Sequence, residues 1–280
     1  MTITEKDLTQ KTIEIIQKDI INIPEESISD LYHSWTNKNA KPAKSVFNKK
    51  HISQNQFLPT DPYLLGIDFP IWFGDVAAKK RIMILGVDPF RNEFLFEEAI
   101  ANKKKDVLIG TPYALHSTEM RAGSTRPYWE FIKALSKNNF VYLTDIYKSS
   151  FYTDSSKEEK SHTYYRKNKT QLDSIKKVLG QEIQLLQPDL IITLGKEGFF
   201  QLTAKKAKQL SRAIALNTTH LKSFPNIPII PLVHLSGATK KQNILNFLKA
   251  NHIDTSVLRE RWEYGIEYSN IIENYLKQSV

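Results

Sequence analysis

Four short apolar runs, rich in β-branched residues and bounded by turn residues, constrain the fold of this chain most. They cover residues 82–87, 141–144, 190–194 and 229–233. Three of them are nearly continuous apolar stretches, as strands covered on both faces require. Stretches with helical spacing separate them, at 128–135, 172–186 and 242–250. This alternation predicts an α/β fold, a three-layer αβα arrangement around a central, mostly parallel four-stranded sheet.

The segments that flank this core predict further helices. Thr4 and Asp7 form an N-cap pair, apolar residues follow at helical spacing, and Pro24 stops the run. A second amphipathic pattern closes the chain. We therefore predict one compact domain in three parts: an N-terminal helical and irregular extension at 1–65, an α/β core at 66–254 and a C-terminal helix at 255–280.

Two polar stretches show no clear apolar period. Residues 36–62 are basic and interrupted by prolines, which predicts an irregular connection. Residues 148–169 carry both signs of charge, and we expect a long loop there. A loop of that length inside a compact domain is usually functional or disordered.

Composition excludes several classes of protein. The chain has no Cys, which removes disulfides, thiolate zinc sites, iron–sulfur clusters and a Cys nucleophile. Its apolar runs are far shorter than the roughly 20 residues that cross a bilayer, and the N-terminus lacks the layout of a signal peptide. We expect a soluble, cytoplasmic protein that does not bind a membrane.

The charge balance favours a polyanionic partner. Lys and Arg number 39 against 30 Asp and Glu, for a formal net charge of +9. Such a surplus promotes binding to nucleic acid through counterion release. A basic surface can also be merely solvated, so charge alone does not decide between the two.

Two polar residues follow predicted strands directly. Ligands of parallel α/β sheets bind beyond the carboxyl ends of the strands. Asp88, in the GVDPF segment at 86–90, follows the first run, and His234, in HLSGA at 234–238, follows the fourth. Taken alone, Asp88 can simply cap the next helix, and His234 can be a hydrogen-bonded histidine at a strand end.

Five segments together resemble the motifs of uracil-DNA glycosylases, in the same order. GVDPF resembles the family's GQDPY, and HLSGA resembles its HPSPL. Between them lie GTPY at 110–113, similar to its GLAF element, VYLTD at 141–145, similar to its strand ending in a base-reading Asn, and LIITLG at 190–195, similar to its strand ending in Trp-Gly or Leu-Gly. The match covers roughly 70–250, and the chain resembles a divergent member of the superfamily.

The resemblance implies that Asp88 and His234 are the catalytic residues. Cleavage of an N-glycosidic bond produces an oxocarbenium-like sugar and an anionic base, so it needs negative charge near the sugar and a donor near the base. Asp88 would stabilise the cation and orient the attacking water. His234 would donate to the carbonyl oxygen of the departing base, by electrostatics or by proton donation. No metal and no cofactor is expected.

The resemblance also implies residues that bind the base and the DNA. Tyr113 would stack on the extruded base, although it can also be an ordinary core aromatic, and Phe90 matches the Tyr that packs against the C5 edge. Asp145 matches the base-reading Asn. We expect Asp88, Tyr113, Asp145 and His234 to line one cleft. The DNA, single- or double-stranded, would be held by Lys196, Ser236, Thr239, Lys240 and Lys241.

Two positions depart from the family. An ionised carboxylate at Asp145 only accepts hydrogen bonds, whereas a protonated one, favoured by enclosure, donates and accepts and would pair with uracil or with cytosine. HLSGA lacks the two prolines of HPSPL, and it ends in Ala238 where the family has a Leu that fills the space vacated by the base. Ala is too short for that wedge.

These observations predict a monofunctional, monomeric DNA glycosylase of base-excision repair. It would hydrolyse the N-glycosidic bond of a deaminated or modified, uracil-like pyrimidine. The alternative is a catalytically weak or inactive glycosylase-like protein that binds DNA or a nucleotide, which the altered HLSGA favours and the pair of Asp88 and His234 disfavours. A phosphate-handling enzyme would need a GxxxxGKS or GxGxxG element, which the chain lacks.

Overall fold

The computed structural model describes residues 3–37, 40–49, 64–89, 105–152, 158–159, 169–207, 210 and 213–278. Interleaved segments of the chain build two compact units. The first unit comprises Met1–Ile71, Asp88–Pro112 and Thr144–Leu186, and the second comprises Trp72–Val87, Tyr113–Leu143 and Gln187–Val280. The three-part division at residues 65 and 254 stays a prediction.

The described helices, in chain order, are α1 (Glu5–Asp19), α2 (Glu25–Thr36), α3 (Thr118–Ala122), α4 (Arg126–Leu135), α5 (Lys169–Leu186), α6 (Gly195–Thr203), α7 (Lys241–Ala250) and α8 (Arg261–Gln278). The described strands are β1 (Val46–Asn48), β2 (Leu64–Asp68), β3 (Ile71–Phe73), β4 (Arg81–Gly86), β5 (Asp106–Gly110), β6 (Phe140–Asp145), β7 (Ser149–Tyr152), β8 (Glu158–Glu159), β9 (Leu190–Leu194), β10 (Thr219–Leu221) and β11 (Phe224–Leu232). Within these residues, no helix combines the length and the apolar character needed to cross a membrane.

A six-stranded sheet contains all four predicted strands. Its order is β10-β11-β9-β4-β6-β3, so the predicted strands lie side by side as β11-β9-β4-β6. Strands β4 and β11 both run parallel to β9. The prediction of a four-stranded sheet is wrong in extent, because β3 and β10 extend it and β10 pairs antiparallel with β11, which makes the sheet mixed. Both added strands have only three residues, too few to show a period.

Helices α4 and α8 of the second unit pack closely against each other. A Cβ atom on Gly265 would lie 2.2 Å from the carbonyl oxygen of Pro127, so only glycine permits this approach. Beside it, the rings of Phe131 and Tyr268 meet edge to face with centroids 6.0 Å apart. The contact fixes α4 and α8, the two helices that support the candidate site described below.

A second sheet, which the sequence did not predict, lies in the first unit. Its order is β1-β5-β2-β7-β8. Strand β1 falls in the stretch 36–62, and β7 and β8 fall in 148–169, so the interpretation of these stretches as irregular connection and loop is wrong where the strands form. The apolar pattern failed there because β7 begins with Ser149 and Ser150, which are polar and yet buried.

The N-terminal helices confirm one prediction and correct another. The backbone N–H of Asp7 donates to the Thr4 hydroxyl at 3.1 Å, and the Asp7 carboxylate accepts from the Thr4 backbone N–H at 3.3 Å, which completes the predicted cap. Helix α1 ends before Pro24, at Asp19 with Ile20 as its C-cap, so the prediction that the proline stops it is wrong. Pro24 is instead the N-cap residue of α2, a helix that the sequence analysis did not predict.

A buried ion pair lies in the core of the first unit. Lys148 and Glu182 are 0% and 1% exposed, and the Lys148 Nζ lies 2.7 Å from the Glu182 Oε2. Thr144 completes the network, because its hydroxyl donates to the Glu182 Oε1 at 3.1 Å and accepts a short hydrogen bond from Lys148. The network therefore ties the end of β6 and the residues that follow it to α5.

Candidate functional site

Hydrogen bonds fix the protonation of the His234 ring. His234 lies two residues beyond β11 and is half-buried. Its Nδ1 accepts the backbone N–H of Ser236 at 3.2 Å and lies 2.6 Å from the Tyr128 hydroxyl, which is 3.4 Å from Nε2. A nitrogen that accepts from a backbone N–H carries no proton of its own. The neutral ring is therefore protonated on Nε2.

Burial keeps that ring neutral. It lowers the pKa of His234 from its ordinary value to about 4, because desolvation disfavours the charged form. Near neutral pH, His234 is thus a hydrogen-bond donor through Nε2–H and carries no second proton to transfer. Such a group can stabilise an oxygen that becomes negative.

Gly195 lies beside the same ring, in a backbone conformation that favours glycine. It begins α6 directly after β9 and has φ of +88°, a left-handed conformation that favours glycine. A Cβ atom there would lie 3.6 Å from the His234 Cδ2, an ordinary contact distance. The glycine of LIITLG is therefore required by its backbone rather than by crowding against His234.

Gly195→Ala is accordingly expected to lower the free energy of unfolding by about 1–2 kcal/mol, because alanine is strained at positive φ. Denaturant unfolding measures the change. Gly180→Ala is the matched control: Gly180 lies within α5 with nothing near its Cβ position, so alanine should stabilise by about 0.5–1 kcal/mol. If Gly195→Ala were as stable as the wild type, or were stabilised as much as Gly180→Ala, the backbone at Gly195 would not be strained for alanine.

Tyr113 stacks on Tyr128 within the second unit. Their ring centroids are 4.1 Å apart with planes 15° from parallel, and the Tyr113 centroid lies 6.2 Å from that of His234. Tyr113 has φ of 57° and Ala114 φ of 51°. Left-handed backbone is uncommon for a bulky residue, and such strained positions cluster at functional sites. The structure therefore places the rings of Tyr113 and His234 near each other, and Tyr128 contacts both.

The C-terminal helix holds the loop that carries His234. Arg261, at the start of α8, donates through Nη1 to the Ser236 carbonyl at 2.6 Å and through Nη2 to the Thr239 carbonyl at 2.8 Å. Tyr268 donates to the Val233 carbonyl at 3.0 Å. The Ser236 and Thr239 hydroxyls lie 3.3 Å apart. Two residues of α8 thus fix the backbone on both sides of His234.

Sequence reasoning missed Tyr128, Arg261 and Tyr268. Tyr128 lies on the apolar face of a helix and reads as core, and its hydroxyl meets a residue 106 positions away. Arg261 and Tyr268 belong to a helix with no motif, and each donates to backbone carbonyls. Every residue has a backbone carbonyl, so the sequence does not indicate which one is the acceptor.

The predicted DNA-binding residues all belong to the second unit. Lys196 is exposed in the first turn of α6, and Lys240 and Lys241 are exposed at the start of α7. Ser236 and Thr239 are half-buried in the loop between β11 and α7. Four of the five follow His234 within seven residues, whereas Lys196 lies in another segment of the chain. Their contact with DNA stays a prediction.

Three predicted residues belong to the first unit's segments of the chain. Asp88 lies two residues beyond the end of β4 and is half-buried, and Asp145 is the last residue of β6 and 2% exposed. Phe90 lies outside the described residues. The expectation that Asp88 and Asp145 share one cleft with Tyr113 and His234 therefore stays a prediction.

Comparison with models of protein families identifies the superfamily of this chain. The model of the uracil DNA glycosylase superfamily matches residues 73–253, well over half of the chain. The matched region runs from the end of β3 to just beyond α7. It includes the five segments identified in the sequence, and it stops before α8, the helix that carries Arg261 and Tyr268. No curated protein matches the chain.

Proposed function

Since the chain belongs to the uracil-DNA glycosylase superfamily, we propose that it hydrolyses the N-glycosidic bond of a uracil-like pyrimidine in DNA. The observation that carries the proposal is the state of His234, a neutral ring with its proton on Nε2, beside the aromatic ring of Tyr113. A protein that only binds DNA has no need of a histidine held in one tautomer.

The base leaves as an anion, and His234 stabilises it. The charge develops on the carbonyl oxygen of the departing base, and the Nε2–H of His234 donates a hydrogen bond to that oxygen. Because the ring lies in a poorly solvated site, this bond gains strength as the charge grows. The neutral state of the ring supports electrostatic stabilisation over proton donation, the two modes that the sequence left open.

The other residues act on the sugar and on the base. Asp88 stabilises the oxocarbenium-like sugar and orients the attacking water, as the GVDPF resemblance implies. Tyr113 stacks on the extruded base, Phe90 packs against its C5 edge and Asp145 reads its polar edge. The fold would be the three-layer scaffold of the family, with helices on both faces of β11-β9-β4-β6, and the protein would act as a monomer.

A direct excision assay tests the proposed function. The full chain is incubated with oligonucleotides that each carry one uracil, hypoxanthine, hydroxymethyluracil, mismatched thymine or cytosine, and abasic sites are scored by alkaline cleavage. We expect abasic sites at uracil or at one of the other pyrimidines. Salt-dependent DNA binding without an abasic site in any oligonucleotide would favour the alternative, a glycosylase-like binding protein.

Asp145→Asn tests how the base is read. If Asp145 acts as a protonated acid, ionisation removes its one donor, and uracil excision by the wild type falls as pH rises. The amide of the variant donates and accepts at every pH, so uracil excision should rise about tenfold or more at alkaline pH, and any cytosine excision should fall. Matching pH profiles for the two proteins would show that Asp145 does not read the base.

The salt dependence of binding tests the predicted lysines. Affinity for duplex DNA should fall with salt on a log–log slope of about −0.9 per neutralised phosphate, or about −0.7 on single strands. Replacing both Lys240 and Lys241 with alanine should make the slope shallower by up to about 1.8 on duplex DNA. The control removes the same charge from α1 through Lys6→Ala and Lys11→Ala, two exposed residues of the first unit. Equal slopes for the two double variants would contradict the assignment.

A further inference from the structure

One residue contacts both Tyr113 and His234, and none of the family's motifs contains it. Tyr128 lies in the first turn of α4 and is 4% exposed. Its ring stacks on Tyr113 at 4.1 Å, and its hydroxyl lies 2.6 Å from the Nδ1 of His234. We propose that Tyr128 is a positioning residue that fixes the tautomer of His234 through its hydroxyl and supports Tyr113 through its ring.

The inference rests on the proposed function, in which Tyr113 stacks on the base and His234 donates to it. In that function the two residues must act on one extruded base, so their relative placement matters to within a fraction of an ångström. Tyr128 is the side chain that sets it, because it is in contact with both.

The hydroxyl acts as a donor to the ring. Burial raises the pKa of Tyr128, against the opposing effects of a hydrogen bond from the Ser236 side chain and the charge of Arg261, so the phenol keeps its proton over the working pH range. The backbone N–H of Ser236 already donates to Nδ1. With two donors aimed at the same nitrogen, both the Nδ1-protonated tautomer and the imidazolium ion would bring two protons face to face. Only the ring protonated on Nε2 fits.

The ring acts as a backing for Tyr113. The left-handed backbone of Tyr113 persists only where its surroundings hold it in place. Tyr128 covers one face of the Tyr113 ring with planes 15° from parallel. That face is therefore taken, and a base that stacks on Tyr113 would use the opposite face, in a three-ring stack with Tyr113 and Tyr128.

Helix α4 is a rigid platform for this double contact. Pro127, next to Tyr128 in the chain, is in close approach with Gly265 of α8. Helix α8 also supplies Arg261, which donates hydrogen bonds to the carbonyls of Ser236 and Thr239. Helix α8 therefore holds both sides of the hydrogen bond between Tyr128 and His234, and it lies outside the region that the family model matches.

Two variants separate the roles, and a third is the control. Tyr128→Phe removes the hydroxyl and keeps the ring, whereas Tyr128→Leu removes both. Tyr264→Phe is the matched control, because the Tyr264 hydroxyl is equally buried and has no hydrogen-bond partner among the described residues. The first measurement is the ¹⁵N spectrum of the imidazole of His234 in the free protein, assigned with His234→Ala.

The wild type and Tyr264→Phe should show one protonated and one unprotonated ring nitrogen, the pattern of a single tautomer. In Tyr128→Phe the two ¹⁵N shifts should move toward each other, because Nδ1 then keeps the longer hydrogen bond from the Ser236 backbone N–H, at 3.2 Å, and loses the shorter one, so the tautomer is held less strongly. On an oligonucleotide that the wild type cleaves, Tyr128→Phe should lower kcat about tenfold with little change in KM. Tyr128→Leu should show the same loss in kcat and raise KM about tenfold as well, because Tyr113 loses its support.

The spectra do not depend on activity. An unchanged imidazole spectrum in Tyr128→Phe overturns the tautomer role, and a KM for Tyr128→Leu equal to that of Tyr128→Phe overturns the supporting role. A wild type that excises no base overturns the proposed function instead, and the spectra of the free protein then decide the tautomer role alone.

Discussion

Replacing His234 with alanine should lower the rate of base excision about 10²–10³-fold, the effect of removing one positioned donor from an oxyanion site. The loss should appear in kcat with little change in KM, because the hydrogen bond from Nε2 strengthens only as the base becomes an anion. Single-turnover excision of a uracil oligonucleotide, with protein in excess, measures it without interference from product release.

The control for this substitution is His33→Ala, an exposed histidine on α2 of the first unit. It should leave excision unchanged. If His234→Ala retained the rate of the wild type, the donor role would be wrong, and the family resemblance of HLSGA would have no mechanistic meaning in this chain.

The lowered pKa of His234 also predicts how the rate and the stability of the protein depend on pH. Burial lowers this pKa to about 4, against about 6.5 in an unfolded chain. The wild-type rate should therefore show no limb from His234 near pH 6.5. Between these two values the unfolded state binds more protons than the folded one, so stability falls as pH is lowered from about 6.5 to 4, by up to about 3 kcal/mol. His234→Ala should lack that loss in denaturant unfolding at pH 4.5 compared with pH 7.

The ends of the parallel strands could be predicted from the sequence, because strands buried on both faces consist almost entirely of apolar residues. The run 190–194 was predicted from its composition alone, and β9 occupies Leu190–Leu194. From there the rule that ligands bind beyond the carboxyl ends of strands led to His234, two residues past β11. Burial on both faces thus made the strands recognisable, and the position of the strand ends then indicated the site residue.

The first unit's sheet was not accessible for the opposite reason. Strand β7 has the sequence SSFY, and its two serines are buried although their side chains are polar, which a hydrophobic pattern does not predict. Strand β8 has two residues, too few for any period. The ion pair of Lys148 and Glu182 is likewise invisible, since charged residues in a polar stretch predict a solvated loop.

The backbone of the HLSGA segment is held by a residue outside the motif. Prolines fix φ and stiffen a loop, and this loop has Leu235 and Gly237 at the places of the family's two prolines. Here the guanidinium of Arg261 binds two carbonyls of the loop, at Ser236 and Thr239. The prolines of the family's motif would stiffen the loop from within, whereas here the loop is held by a helix that begins 27 residues after His234. The motif alone therefore could not have predicted this contact.

Lys148→Met should destabilise the protein by about 3–5 kcal/mol, the usual effect of breaking a buried ion pair by removing one partner. The Nζ of Lys148 lies 2.7 Å from the Glu182 carboxylate with both side chains excluded from water. Without the cation, the Glu182 carboxylate stays in a poorly solvated core and loses this charged partner. Denaturant unfolding measured at pH 7 gives the change in free energy.

The double variant distinguishes a lost ion pair from a damaged core. Replacing Lys148 with Met and Glu182 with Leu removes both charges, and apolar pairs of similar volume are often as stable as the ion pair they replace. The double variant should therefore regain most of the stability that Lys148→Met loses. The exposed pair of Lys133 and Glu130, 3.4 Å apart on α4, is the control, because breaking it should cost no more than about 1 kcal/mol. A double variant as unstable as the single one would mean that the Thr144 hydroxyl and the shape of the core, rather than the opposed charges, hold the end of β6 to α5.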